Sequence, residues 1–339
     1  MGLRALGHEV DLGGLVDRGG PWGGFAVFGA GAAPGWARQA MFAGQCCGRA
    51  GLDQPEEIVC THLNLGPLAL AGRWLCGART TLVAHGVDVH PGLSRWRLWA
   101  LRRATRLVAV SAWTRQRLLG LGGIDAGRVR LLANTFDETR FRVGPRPVGL
   151  ASHLGLAAEE RVILTVARLD PSEGYKGYDR VVMALPEVIR ACGPVRFLVV
   201  GRGADGKRLR VLARALGVED RLLLAGFVPD SALPDYYRLA DVFAMPSTGE
   251  GFGIVFLEAM ACGTPVLAGN RDGSVDALDG GRLGALVDPL AVDAIGAGIA
   301  RLLRGEGPAT WFDREALSAA VGQTFGRRAF RARVGAIFG

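Results

Sequence analysis

Two glutamates, Glu250 and Glu258, stand eight residues apart in the run GEGFGIVFLEAMACGTPV over residues 249–266. Carboxylates accept hydrogen bonds from sugar hydroxyls, and a spaced pair can hold two different diols. Gly249, Gly251 and Gly253 permit close approach of a ligand to the backbone. The apolar run Ile254–Met260 predicts a buried helix that begins at this turn. Its free N–H groups and positive dipole end would suit a diphosphate. Glu250 then faces the ligand from the loop, and Glu258 from the second helical turn. For either glutamate alone, a solvated side chain beside an ordinary helix start is an equal alternative. Glu258 is harder to dismiss in this way, because it sits among apolar neighbours and a buried unpaired carboxylate is costly.

Upstream, VARLDPSEGYKG (166–177) leaves a predicted strand. The chain has only two lysines among its 40 basic residues, and Lys176 is one of them. Arg168 and Lys176, at a strand's carboxyl end, can both reach a diphosphate in the crevice of an open α/β sheet. Two exposed surface cations are the alternative. Val199–Gly203 (VVGRG) ends the next strand with a Gly-x-Gly that is weak evidence alone, since no GxGxxG follows. Ala225–Asp230 (AGFVPD) fits a plain strand-to-helix turn. His85 follows an apolar strand, where a lone histidine is more often structural than catalytic. Paired carboxylates also occur in glycoside hydrolysis, but there they flank one bond.

The second half alternates strands and helices. Strands are expected at 161–166, 195–200, 221–225, 242–245, 265–268 and 284–287, with helices at 178–192, 208–216, 233–239 and after Gly253. This alternation argues for a parallel, doubly wound sheet. The first half is noisier: strands at 10–16, 58–60, 81–83 and 107–110, helices at 98–104 and 114–119. Gly144-Pro145-Arg146-Pro147 is the best linker. The expected division is therefore 1–147, 148–312 and a C-terminal helix over 313–339.

Half the residues are hydrophobic, enough for a sizeable core. Six cysteines form no CxxC pair, and no His/Asp/Cys cluster has metal-ligand spacing, so free thiols, a reduced cytoplasmic compartment and no metal are expected. No apolar run is long enough to span a bilayer. The net charge of +8 lies wholly in residues 1–147, which hold 18 arginines against 10 acidic residues. The absence of a helix-turn-helix or an aromatic-interleaved platform argues against nucleic acid as a partner.

Residues 249–266 resemble the Glu-x7-Glu signature of the retaining, nucleotide-sugar-dependent glycosyltransferases of family 4. The match continues through Ala-Cys-Gly-Thr-Pro-Val, and Arg168…Lys176-Gly177 matches the family's Arg…Lys-Gly motif. The resemblance implies the GT-B fold: two Rossmann-like, doubly wound α/β domains facing across a cleft. It implies a nucleotide-diphosphate sugar as co-substrate and a glycan or lipid-linked acceptor, in cell-envelope polysaccharide or glycolipid synthesis. Glu250 would hold donor-sugar hydroxyls, Glu258 the ribose, and Arg168 and Lys176 the diphosphate, with Gly251, Phe252, Gly253 and Ile254 forming the turn. Gly201 would pack near the nucleotide, and the loop at Phe227 and Val228 would read the base edge. His85 takes the place of the family's cleft histidine, beside the reacting sugar carbon. The run from Leu3 to Val10 resembles the end of the family's first helix and the start of its second strand, so the usual first strand and glycine-rich loop are expected to be missing. A catalytically impaired nucleotide-sugar-binding protein is the alternative.

The stretch from Arg95 to Arg117 holds seven arginines and no acidic residue, with Trp96, Leu98, Trp99 and Leu101 interleaved. Arginine and tryptophan together suit a membrane interface. A peripheral location at the anionic inner face of the membrane is the corresponding expectation, against the alternative of core tryptophans and merely solvated arginines.

Overall fold

The computed structural model describes residues 12–14, 20–22, 25–29, 34, 36–90 and 92–339. The run 3–10, on which the expectation of a missing first strand rests, lies outside the described residues. The chain forms two compact units, 1–132 with 330–339, and 133–329.

In the first unit, β1 (Leu12–Gly14), β2 (Gly20–Trp22) and β3 (Phe25–Gly29) form a small sheet in the order β1-β3-β2. Four further strands, β4 (Glu57–Cys60), β5 (Arg79–Ala84), β6 (Arg106–Ala109) and β7 (Val129–Leu131), pair in sequence order, all parallel. Leu82 and Leu107 of β5 and β6 pack with Leu70, Ala100 and Leu101 from the helices Gly66–Cys76 and Arg95–Arg103. Parallel strands need such helical crossovers, which cover the sheet and account for its apolar runs.

The second unit holds β8 (Arg161–Val166), β9 (Val195–Val200), β10 (Leu222–Gly226), β11 (Val242–Met245), β12 (Val266–Gly269) and β13 (Ala285–Val287). They form one parallel sheet in the order β10-β9-β8-β11-β12-β13. Counted from β8 this is 3-2-1-4-5-6, the doubly wound order whose ligand crevice lies where the winding reverses. The reversal falls between β8 and β11. Every residue of β11 and β12 is buried, as central strands covered on both faces require.

The proline-rich segment at 144–147 is not where the units divide, because residues 133–147 pack onto the second unit. Phe141 meets Tyr237 edge-on at 5.8 Å between centroids, the Arg238 Nε donates to the Arg142 carbonyl at 3.1 Å, and Arg146 pairs with Asp241 at 3.3 Å. The C-terminal stretch is two helices, Arg314–Phe325 and Arg327–Phe338, broken at Gly326. A side chain there would overlap the Gly322 carbonyl and crowd Glu138. Phe338 lies under the Arg106 guanidinium at 4.9 Å.

Candidate active site

The four adjacent strands β10, β9, β8 and β11 run parallel, so their carboxyl ends share one edge of the sheet. Phe227 and Val228 follow β10, Gly201 follows β9, Arg168 and Lys176 follow β8, and Glu250 follows β11. Topology alone gathers these sequence-predicted residues along the edge where such sheets bind ligands.

The loops after β8 and β11 are stitched together. The Thr248 N–H donates to the Tyr175 carbonyl at 2.9 Å. Gly177 has φ +78°, and a Cβ there would overlap the Pro246 carbonyl. Glycine after Lys176 therefore serves the close contact that sets Lys176 beside Glu250. The Lys176 ammonium, with its side chain only 16% exposed, lies 3.3 Å from Glu173 Oε2 and 3.9 Å from Glu250 Oε2. Glu173 is buried and also pairs with Arg168, whose side chain is 81% exposed.

Glu250 is held by its backbone. Its N–H donates to Asp272 Oδ2 at 2.7 Å, and its carbonyl accepts from the Gly273 N–H at 2.9 Å. Asp272 is buried and accepts from the Ser247 hydroxyl (2.7 Å) and the Ser274 N–H (2.9 Å). Burial raises the Asp272 carboxyl, against the hydrogen bonds that lower it. Burial also raises Glu250, with Lys176 opposing and Asp272 and Glu173 reinforcing. Its Oε2 accepts no hydrogen bond. A carboxylate held rigidly, with an unused acceptor beside a cation, is equipped to bind hydroxyls of a ligand that also carries negative charge.

The helix Ile254–Ala261 begins at Gly253, whose φ of +89° and crowding by the Phe256 ring exclude a side chain. Glu258 lies on its second turn. Tyr237 donates its buried hydroxyl to Glu258 Oε2 at 2.8 Å, and burial raises the Glu258 carboxyl while this bond and Arg140 lower it. At the other end of the helix, Arg314 donates to the Cys262 carbonyl (3.1 Å) and the Ser318 hydroxyl to that of Ala261 (2.8 Å). Both satisfy carbonyls that a helix terminus leaves open. Ile254 is exposed. Phe252 is not available to a ligand as a side chain: its ring is buried edge-on against Phe325 at 5.6 Å, so only its main chain can contribute.

Phe227 is exposed with the Arg202 guanidinium 5.3 Å from its ring centre, whereas Val228 is buried. The Gly201 N–H donates to the Gly226 carbonyl at 2.8 Å. His85 belongs to the first unit, at the carboxyl end of β5. Its N–H donates to Asp88 Oδ1 at 2.8 Å and its Nε2 lies 2.9 Å from the Thr61 carbonyl.

Residues 151–318 match the family described as Glycosyl transferases group 1, and residues 1–135 match the Glycosyl transferase 4-like domain. The chain belongs to the glycosyltransferases. A GDP-mannose-dependent alpha-(1-6)-phosphatidylinositol monomannoside mannosyltransferase of Mycobacterium tuberculosis (strain CDC 1551 / Oshkosh) is 35% identical over 251 residues, 70% of this chain and 64% of that protein. A D-inositol 3-phosphate glycosyltransferase of Acidothermus cellulolyticus is 36% identical over 210 residues, 59% of this chain and 46% of that protein. The match thus spans less than two thirds of these relatives' own length. The solved structure of Anabaena Alr3699/HepE in complex with UDP-glucose has 23% identity and a TM-score of 0.76, over 93% of this chain and 86% of that one. This glycosyltransferase shares the GT-B fold with it.

Sequence reasoning missed Glu173, Asp272, Ser247 and Tyr237. Asp272 had a signal: an acid just beyond a buried strand, followed by Gly-Ser, is placed to cap the next turn. Glu173 stands between the two cations and three residues before Lys176, which is also visible in the sequence. Tyr237 carried none beyond its place on a helix.

Proposed function

We propose that this glycosyltransferase moves a sugar from a nucleotide-diphosphate sugar to a hydroxyl of a glycan or lipid-linked acceptor, with retention at the anomeric carbon. The observation that carries this reading is the Lys176–Glu250 pair at the reversal of the sheet. A cation for the leaving diphosphate thus stands beside an acceptor for the sugar hydroxyls. Arg168 and Lys176 hold the diphosphate and offset the charge that develops on it. Glu250 holds the donor sugar, Glu258 the ribose, and the Phe227–Val228 loop the base. The bond from the anomeric carbon to the phosphate oxygen breaks while the acceptor oxygen bonds to that carbon on the same face. The acceptor's proton passes to the leaving phosphate. These roles need no metal. The GDP-mannose-dependent relative named above supports a nucleotide-sugar donor.

The acceptor side is read from the first unit. Trp74 and Trp96, with side faces open to solvent, both meet Trp99 edge-on, at 5.6 and 6.3 Å. Arg95, Arg102 and Arg103 are exposed on the same helix as Trp96, while Arg97 is half-buried and the Arg102 Nε donates to the Gly122 carbonyl at 3.1 Å. Arg106 and Arg117 do not join this surface. The first pairs with Glu57 at 3.2 Å, and the second donates to the Val89 carbonyl at 2.7 Å. Leu101 is buried. Exposed tryptophans rimmed by arginine fit the headgroup layer of an anionic bilayer, which supports an acceptor at the inner face of the membrane.

A screen of GDP- and UDP-sugars, with the product's anomeric configuration read by NMR, tests the transfer. A retained configuration, undiminished by EDTA, is expected. An inverted product would contradict the proposal, as would loss of activity on chelation with rescue by magnesium or manganese. Tight nucleotide binding without turnover would favour a binding protein in place of an enzyme.

A further inference from the structure

Glu173 has no role in the account so far, yet it is one of the few buried acidic side chains of its unit. Its carboxylate takes the Arg168 guanidinium on one oxygen and lies 3.3 Å from the Lys176 ammonium on the other. Lys176 is thereby shared between two carboxylates and sits closer to Glu173 than to Glu250, at 3.3 against 3.9 Å. The longer distance is beyond hydrogen-bond reach. Glu173 Oε2 and Glu250 Oε2 are both buried and without a hydrogen bond, so the ammonium serves both by charge alone and lies nearer to Glu173.

We propose that Glu173 is a positioning residue: by holding the Lys176 ammonium it keeps that cation off Glu250, so that Glu250 retains an open acceptor for a sugar hydroxyl. The inference rests on the donor-binding reading of Glu250 and adds to it the device that keeps the site poised. The same carboxylate draws the otherwise exposed Arg168 toward Lys176, so both diphosphate cations are organised by one buried anion. The ionisable groups that face Glu250 are Lys176, Glu173 and Tyr175 from the loop after β8, and Asp272 from the loop after β12. Of these only Lys176 is a cation, and it opposes the burial and the two carboxylates that raise Glu250.

Glu173→Gln is nearly isosteric and removes the charge. It is expected to let Lys176 move onto Glu250. In the unliganded protein, a carbon-detected NMR titration of the Glu250 carboxyl is then expected to show its midpoint at lower pH than in the wild type. The shift is expected to exceed the one that the same substitution produces in a Lys176→Met background, where only the loss of the Glu173 charge acts. Equal shifts in the two backgrounds would overturn the inference. Its kcat is expected to fall by about 10–100-fold, the usual result of misplacing a catalytic contact. The acid limb of its pH–rate profile moves to lower pH in step. An unmoved Glu250 midpoint in a variant that melts as the wild type does would overturn the inference. So would a fall in kcat with an unmoved acid limb, which marks a loop-building role alone. The titration needs no substrate, so a wild type that transfers no sugar would count against the transfer reading and leave the test of Glu173 intact.

Discussion

On the proposed donor-binding reading, Glu250 serves function at the expense of stability. Burial is the main reason its carboxyl is raised, and Lys176 only partly offsets it. A carboxyl raised in the folded state contributes stability when protonated, below the ordinary carboxylate range. That contribution is lost as pH rises through the raised folded value. Near neutrality the ionised side chain therefore costs stability. Glu250→Gln is expected to melt at a higher temperature than the wild type at neutral pH. The difference should shrink as pH falls below the carboxylate range, while transfer activity is lost at every pH. Thermal melts at neutral and acid pH check this, and a variant that melts lower than the wild type at neutrality would contradict it. Asp272 is also raised by burial, but it accepts three hydrogen bonds that fix the Glu250 loop, so its charge is used by the fold itself.

At the scale of elements, the site depends on two loops approaching closely, and Gly177 is where they touch. Alanine there must take a left-handed backbone and displace the Pro246 carbonyl. Gly177→Ala is expected to cost at least about 2 kcal/mol in a denaturant titration, combining backbone strain with the clash. A loss within experimental error would mean that the loops are not held as described. The elements that build this region were legible in the sequence because their apolar runs are short, bounded and buried on both faces. The helices Tyr178–Cys192 and Leu233–Leu239 and the strand Val242–Met245 fall where their patterns place them. The first unit was less legible for physical reasons. The helix Arg38–Asp53 buries only Phe42 and Ala50 and carries a Cys-Cys-Gly interruption of its periodicity. The helix Gly66–Cys76 opens on Gly-Pro, and its apolar residues follow one another without a clear helical period. Strand Val129–Leu131 is three residues long with one buried. Among the candidate site residues, Gly201, Phe227, Val228 and His85 were named only through the family resemblance, whereas Arg168, Lys176, Glu250 and Glu258 stood out by type and spacing. Those that hold them, Glu173 and Asp272, act across loops that sequence does not align.

At the scale of the whole molecule, the excess charge lies in residues 1–147, and the structure exposes part of it around tryptophans. Trp74 joins Trp96 from a separate helix, a pairing that only the fold creates. Each arginine near an anionic surface adds on the order of 1 kcal/mol of attraction. The protein is expected to sediment with anionic vesicles and not with neutral ones. High salt, or alanine at both Trp74 and Trp96, should weaken the association. Equal binding to anionic and neutral vesicles would leave a soluble acceptor as the better account. The central claim concerns the donor: the crevice at the reversal of the second sheet binds a nucleotide sugar through Lys176 and its neighbours and transfers the sugar. Product formation from the donor that the wild type uses best, measured side by side for wild type and Lys176→Ala, tests it most directly. The wild type is expected to transfer, and the variant to lose roughly 2–4 kcal/mol of transition-state stabilisation in kcat/KM, as for a lost charged donor at a developing phosphate. A variant that transfers as fast as the wild type would contradict the account.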